Sequence, residues 1–134
     1  MTEQQITLNP CITQQLTTDT SALPLADDVI LQDFAQDRIV QGRAEVVALL
    51  DAFFIRGFAD AHVTMQTAMA DESSAMCEFV FCGRHVAPFW GLPATHRVVE
   101  LPMVIACHLS NSQIQRAALY YDGGVLLRQL GLAL

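Results

Sequence analysis

Hydrophobic and polar residues change their spacing several times along this chain, and each change marks an element. Ala26 to Phe34 alternates loosely through Val29 and Leu31, the pattern of a short strand entered from a turn at Asp27-Asp28, with Asp33 at its end. After Gly42 the period lengthens. Val46, Leu49, Leu50, Phe53 and Phe54 recur at helical spacing, with Glu45, Asp51 and Arg56 outside the stripe, which predicts a helix ending near Gly57. His62 to Met69 returns to alternation, Asp71-Glu72-Ser73-Ser74 makes a turn, and Ala75 to His85 sets Cys77, Phe79, Phe81, Gly83 and His85 on one face of a strand. Arg97 to Leu109 is a long strand interrupted by Pro102, where a bulge or an edge position is expected. A turn over Ser110 to Gln113, a strand from Ile114 to Asp122 and a short helix from Val125 to Leu130, stopped by Gly131, complete the pattern. Residues 1 to 24 are polar, and Asn9-Pro10 is suited to start a short helix through Gln15 and Leu16.

Helical elements followed by strands on short turns describe one α+β domain over residues 1–134, an antiparallel meander curled around helices. One stretch departs from this regularity. Between Gly83 and Val99 the chain turns through Pro88, Gly91 and Pro93 and carries an adjacent Phe89-Trp90 pair. Two large aromatics are costly to leave in water, so this loop is expected to line a pocket, seal a partner surface or fold back on the core.

Composition sharpens that expectation. Apolar residues make up 52% of the chain and charged residues only 16%, a surplus of apolar surface that a wide dry pocket, a subunit interface or both would absorb. No apolar run approaches the roughly 20 residues that span a bilayer, and the first residues lack a secretory pattern, so a soluble cytoplasmic protein is expected, with no membrane partner. The net charge of -7 and the lack of any basic run argue against nucleic acid. All seven basic residues are Arg, which excludes a Schiff-base lysine and a lysine-tethered pyridoxal cofactor. Cys11, Cys77, Cys82 and Cys107 lack Cys-x-x-Cys spacing and read as free thiols in a reducing compartment. With no Gly-x-Ser-x-Gly, phosphate-cradling loop or His-Glu-x-x-His, the tools left are carboxylates, His, Tyr and Arg, and these point to general acid–base work. His62, His85, His96 and His108 are dispersed, so no metal site is expected.

Gly83-x-His85, Pro88-Phe89 and Gly91-Leu92-Pro93-Ala94-Thr95, then Tyr120-Tyr121-Asp122 followed by Gln129-Leu130-Gly131, resemble the SnoaL-like polyketide and ester cyclases of the nuclear transport factor 2-like superfamily. The resemblance spans residues 25 to 132. It implies a conical half-barrel, cystatin-like in the broad sense, with a strongly curved sheet wrapped around helices, a pocket at one end and a homodimer through the sheet. It also implies a cofactor-independent cyclase or isomerase acting on an apolar, polyketide-like carbonyl compound.

In such cyclases an aspartate just before the closing helix is the acid–base group of an aldol ring closure, assisted by a histidine on the preceding strand; Asp122 and His108 match these positions. In steroid isomerases of the superfamily the base follows the first strand, a position similar to that of Asp33. His85, Phe89, Trp90, Arg116 and Tyr120 are candidate ligand contacts. The residue types also suit structural roles: Asp122 a helix cap, His108 a bonded core histidine, Asp33 a turn residue. The alternative function is a non-catalytic ligand-binding or dimerisation module on the same fold. A plain two-residue turn at Asn111-Ser112 would set His108 opposite Gln115 and turn it away from the Asp122 side; a bulge or an odd loop would be needed to bring the two to one face. The chain departs from the family pattern at Ala87 and His96, where the relatives usually carry Gly, so a different loop path is expected there.

Overall fold

A computed structural model describes residues 13 and 15–132 of the protein. Gln15 and Leu16 are helical, while the helix start expected at Asn9-Pro10 lies outside the described residues, as does Cys11. Strands β1 (Leu25–Asp33) and β2 (Arg38–Gln41) precede helix α1 (Arg43–Asp51), which continues as a single π-helical turn over Ala52–Arg56. Strands β3 (Phe58–Ala70), β4 (Ser74–His85), β5 (Val98–Ser110) and β6 (Gln113–Tyr121) follow, and helix α2 (Gly123–Gln129) ends the order. The strands form one curved, unclosed sheet in the order β2-β1-β6-β5-β4-β3. The expected meander holds from β3 to β6, whereas β1 joins β6 as a parallel neighbour, with Asp33 beside Leu119.

Period-two alternation decides which side of the sheet is dry. Cys77, Phe79 and Phe81 of β4, Leu101, Met103 and Ile105 of β5, and Ala117 and Leu119 of β6 are buried on the inner face, against α1. Val46 and Leu50 supply the helix's buried stripe, and the π-helical turn then lets consecutive Phe53 and Phe54 both face the core. That widening is closed by Gly57 N–H donating to the Ala52 carbonyl at 3.0 Å. A Cβ on Gly57 would meet that same oxygen at 2.9 Å, so glycine is required where the helix turns into β3. Phe53, Phe54, Phe58 and Phe81 pack ring against ring, with Phe53 and Phe54 stacked at 4.6 Å and Phe54 edge-on to Phe81 at 5.2 Å. Each such side chain contributes about 2–3 kcal/mol on burial.

One local expectation is corrected and another is narrowed. Asp27-Asp28 is an exposed bulge inside β1, not a turn before it, because the register with β6 slips between Leu25 and Ile30. Arg43 bridges this kink, donating through Nη2 to the Leu25 carbonyl at 2.6 Å and pairing with Asp27 at 3.0 Å. Pro102 causes no bulge, since the ladder with β4 runs regularly through the Val80–Pro102 pair. Glu100 N–H donates to Gln129 Oε1 at 2.7 Å, away from β4, and Pro102, two residues on, directs its nitrogen to that same side. Pairing of β5 with β6 begins only at Met103, so the missing N–H costs no ladder bond, and the local-edge reading is the one that applies. His96, where the family pattern has Gly, has a left-handed φ of 59°, a region that other residues enter at a cost.

Candidate active site

The parallel pairing of β1 and β6 brings two strand ends together at one end of the sheet, and the polar side chains there turn inward. Asp33, the last residue of β1, is 1% exposed. On β6 the inner phase through Ala117 and Leu119 reaches Tyr121, whose hydroxyl donates to Asp33 Oδ2 at 2.9 Å. The turn after β1 folds Gln36 back over the carboxylate: its backbone N–H donates to Oδ1 at 3.0 Å and its Nε2 to Oδ2 at 2.7 Å. The same Nε2 lies 3.2 Å from the Tyr121 hydroxyl oxygen. Burial pushes the Tyr121 phenol well above its ordinary pKa, and the negative charge of Asp33 adds to the rise, so the group is a neutral hydrogen-bond donor.

The loop after β4 closes over this cluster. Phe89 and Leu92 exchange backbone hydrogen bonds of 3.0 and 2.9 Å around Trp90 and Gly91, both with positive φ (55° and 72°), the geometry of a type I′ turn. Phe89 folds onto the core: it is 8% exposed and packs edge-on against Phe53 at 4.8 Å. Trp90 stacks on Phe89 and tilts against Tyr121, with ring centroids 6.3 Å apart. Its Nε1–H is buried with no hydrogen-bond partner among the described residues; it lies near enough to the Tyr121 hydroxyl to moderate the rise in that pKa, but outside hydrogen-bond geometry. A Cβ at Gly123 would come within 3.0 Å of the indole, so the bare start of α2 is what admits the ring.

His85 anchors the base of the loop and is fully buried. Its Nδ1 accepts the Thr95 N–H at 3.1 Å and lies 3.0 Å from the Thr95 hydroxyl, which leaves the ring hydrogen on Nε2. Burial lowers its pKa, opposed by the Ala87 backbone. The ring touches Phe58, not the Asp33 cluster, so it positions the loop.

The other residues singled out from the sequence lie elsewhere. The Asn111-Ser112 turn has two residues in positive φ, and a bulge follows it at once, so His108 pairs with Arg116 rather than Gln115. That phase places His108, Arg116 and Tyr120 on the outer face of the sheet, where with Gln32, Phe34, Ala106 and Ala118 they line an open groove of about 270 Å3. Tyr120, 44% exposed, stacks on Phe34, and Arg116 reaches Gln32 Oε1 at 3.3 Å. Asp122 is exposed; its Oδ1 accepts the Gly124 and Val125 N–H groups at 2.9 and 3.2 Å and caps α2. Asp122 and His108 therefore do not converge, while Asp33, Phe89 and Trp90 do, joined by Tyr121 and Gln36, which were not singled out. Tyr121 was legible, being in phase with Ala117 and Leu119. Gln36 is signalled only by its three-residue spacing from an aspartate. Among the described residues no group of three or more His, Cys, Asp or Glu side chains converges as metal ligands, and no helix is long and apolar enough to cross a membrane.

A curved, unclosed sheet wrapped on helices is the ketosteroid isomerase-like α+β fold. The model of the SnoaL-like polyketide cyclases matches residues 12–130, and the chain belongs to that family. Solved structures share the fold at low identity. A proposed SnoaL-like polyketide cyclase from Jannaschia sp. CCS1 is 14% identical, covering 98% of this chain and 94% of its own, with a TM-score of 0.83. IdmH, a proposed polyketide cyclase from Streptomyces antibioticus, is 18% identical over 97% of this chain and 100% of its own, with a TM-score of 0.78. A Catenulispora acidiphila protein with a ketosteroid isomerase-like fold, solved with trimethylamine, is 22% identical over 99% of this chain and 96% of its own, with a TM-score of 0.74. No curated protein gives a significant sequence match.

Proposed function

We propose that this protein is a cofactor-independent cyclase-type enzyme that moves protons on an apolar, polyketide-like carbonyl compound, with Asp33 as the acid–base group. The observation that carries this reading is the Asp33–Tyr121 pair, a carboxylate 1% exposed and bonded to a neutral hydroxyl beneath an aromatic wall. Three donors occupy Asp33, two of them on Oδ2, so Oδ1 keeps a lone pair uncommitted among the described residues. That oxygen takes a proton from carbon next to a substrate carbonyl. The Trp90 Nε1–H, which has no partner among the described residues, is the donor at hand for the enolate oxygen that results, while the Tyr121 hydrogen stays on Asp33 Oδ2. The enolate carbon then attacks a second carbonyl of the same molecule, and the alkoxide recovers the proton from Asp33. Donors and acceptor stay in place throughout, and exclusion of water strengthens each contact. The resemblance implies this work for an aspartate just before the closing helix, the position of Asp122; the commitment of Asp122 Oδ1 to capping α2 supports the assignment to Asp33 instead.

The outer face of the sheet, with exposed Phe34 and Tyr120 beside Ala106 and Ala118, is where a second copy would pack to form the homodimer. A linear diketone with three methylenes between its carbonyls, able to close a six-membered ring, tests the chemistry. The wild type is expected to accelerate closure and Asp33→Asn to lose about a hundred- to ten-thousand-fold of that acceleration. Binding of the diketone without acceleration by the wild type would favour a ligand-binding module instead.

A further inference from the structure

Gln36 belongs to no recognised motif, yet it makes three of the contacts around the buried pair. Its side-chain orientation is chemically fixed, because an ionised carboxylate only accepts hydrogen bonds and the amide must therefore present Nε2, not Oε1, to Asp33. Nε2 carries two hydrogens. One meets Asp33 Oδ2 at 2.7 Å and the other faces the Tyr121 hydroxyl oxygen at 3.2 Å. A phenol oxygen that accepts on that side has its own hydrogen left for Asp33, and the 2.9 Å contact to Oδ2 is where it goes. The backbone N–H of Gln36 holds the other oxygen, Oδ1, at 3.0 Å, so one residue fixes both the tilt of the carboxylate and the direction of the Tyr121 hydrogen.

We propose that Gln36 is the positioning residue of this site: through Nε2 it holds the Asp33 carboxylate and the Tyr121 hydroxyl in one hydrogen-bonded array, so that Asp33 presents Oδ1 to the substrate carbon. It touches the acid–base group and not the substrate. The inference rests on the reading of Asp33 as that group. The half-exposed turn between β1 and β2 carries it, so its replacement leaves the aromatic core of the fold in place.

The test compares wild type, Gln36→Leu, Gln36→Glu and Asp33→Asn in the ring closure of the same linear diketone, with unfolding curves and the emission of the single tryptophan, Trp90, as checks of structure. Gln36→Leu is expected to lower kcat by about 10–100-fold, the worth of hydrogen bonds to a charged group, and to change KM little. Gln36→Glu keeps the size but sets an acceptor against an acceptor. Its activity is expected to be low at neutral pH and to recover on acidification, when a proton on the introduced carboxyl restores a donor to Asp33 Oδ2, while Gln36→Leu shows no recovery. A purely structural role would not produce that difference in pH profile. Wild-type kcat in Gln36→Leu beside an inactive Asp33→Asn would overturn this inference and leave the reading of Asp33 intact. A raised KM with unchanged kcat would also overturn it, by making Gln36 a substrate contact. Full activity in Asp33→Asn would overturn the reading itself and the role of Gln36 with it. If Gln36→Leu fails to fold, the acid recovery of the near-isosteric Gln36→Glu decides alone.

Discussion

Asp33 and Asp122 are the same side chain in two settings, and the settings divide the work between them. Asp33 is enclosed by Tyr121 and Gln36, whereas Asp122 spends Oδ1 on two backbone donors at the start of α2. Asp122→Ala should cost about 1 kcal/mol of stability in denaturant unfolding, the usual worth of a capping aspartate, and Asp122→Asn much less. His85 gives a second residue-scale prediction. Its folded-state pKa lies below the unfolded value of about 6.5, so the unfolded chain binds the proton more tightly. The stability it contributes is present above that pH and lost as pH falls through it, because a protonated Nδ1 no longer accepts the Thr95 N–H. Thermal unfolding followed from pH 7 to pH 5 should therefore fall less steeply in His85→Gln than in the wild type. At this scale the sequence was only partly legible. It named Asp33, Phe89 and Trp90, which the structure gathers at one end of the sheet, but it favoured Asp122, because a family position says where a residue lies along the chain and not which bonds its oxygens make. Tyr120 was taken for Tyr121, a one-residue choice that the strand's alternation reverses.

Among the elements, the most informative is the π-helical turn at the end of α1. The stripe Val46, Leu49, Leu50, Phe53, Phe54 announced a helix, but a regular helix sets two consecutive residues about 100° apart, and only the widened turn buries both phenylalanines fully. Truncation of Phe54, which is 0% exposed, should cost about 3–5 kcal/mol in the same unfolding assay. The alternating strands β3 to β6 were legible because one dry face imposes period two. The parallel β1–β6 pair was not, because strand order depends on contacts between distant segments. Nor was the bulge after the Asn111-Ser112 turn, which sets Arg116 and Tyr120 in phase with His108 on the outer face. Strand β5 also carries Cys107, whose thiol burial pushes up from 9.0 to about 12. The folded state holds that proton more tightly than the unfolded one, so its stabilising effect is present below pH 9.0 and lost as pH rises towards about 12. Cys107→Ala should flatten the loss of stability on that alkaline limb.

For the whole molecule, the surplus of apolar residues has two destinations. Most lies in the core between sheet and α1, and part remains on the outer face, where Phe34 and Tyr120 are 46% and 44% exposed. If two outer faces pack together, sedimentation at micromolar concentration will show a dimer, and Ala118→Arg will shift it towards monomer; a wild-type monomer would contradict that assembly. The inner end of the cone carries the central claim, that Asp33 moves the proton. It is tested most directly by following exchange of the α-hydrogens of the linear diketone with deuterated solvent by NMR, in wild type, Asp33→Asn and Asp122→Asn. Exchange above the protein-free rate is expected in the wild type and in Asp122→Asn, and none above it in Asp33→Asn. Exchange that survives in Asp33→Asn and disappears in Asp122→Asn would contradict it.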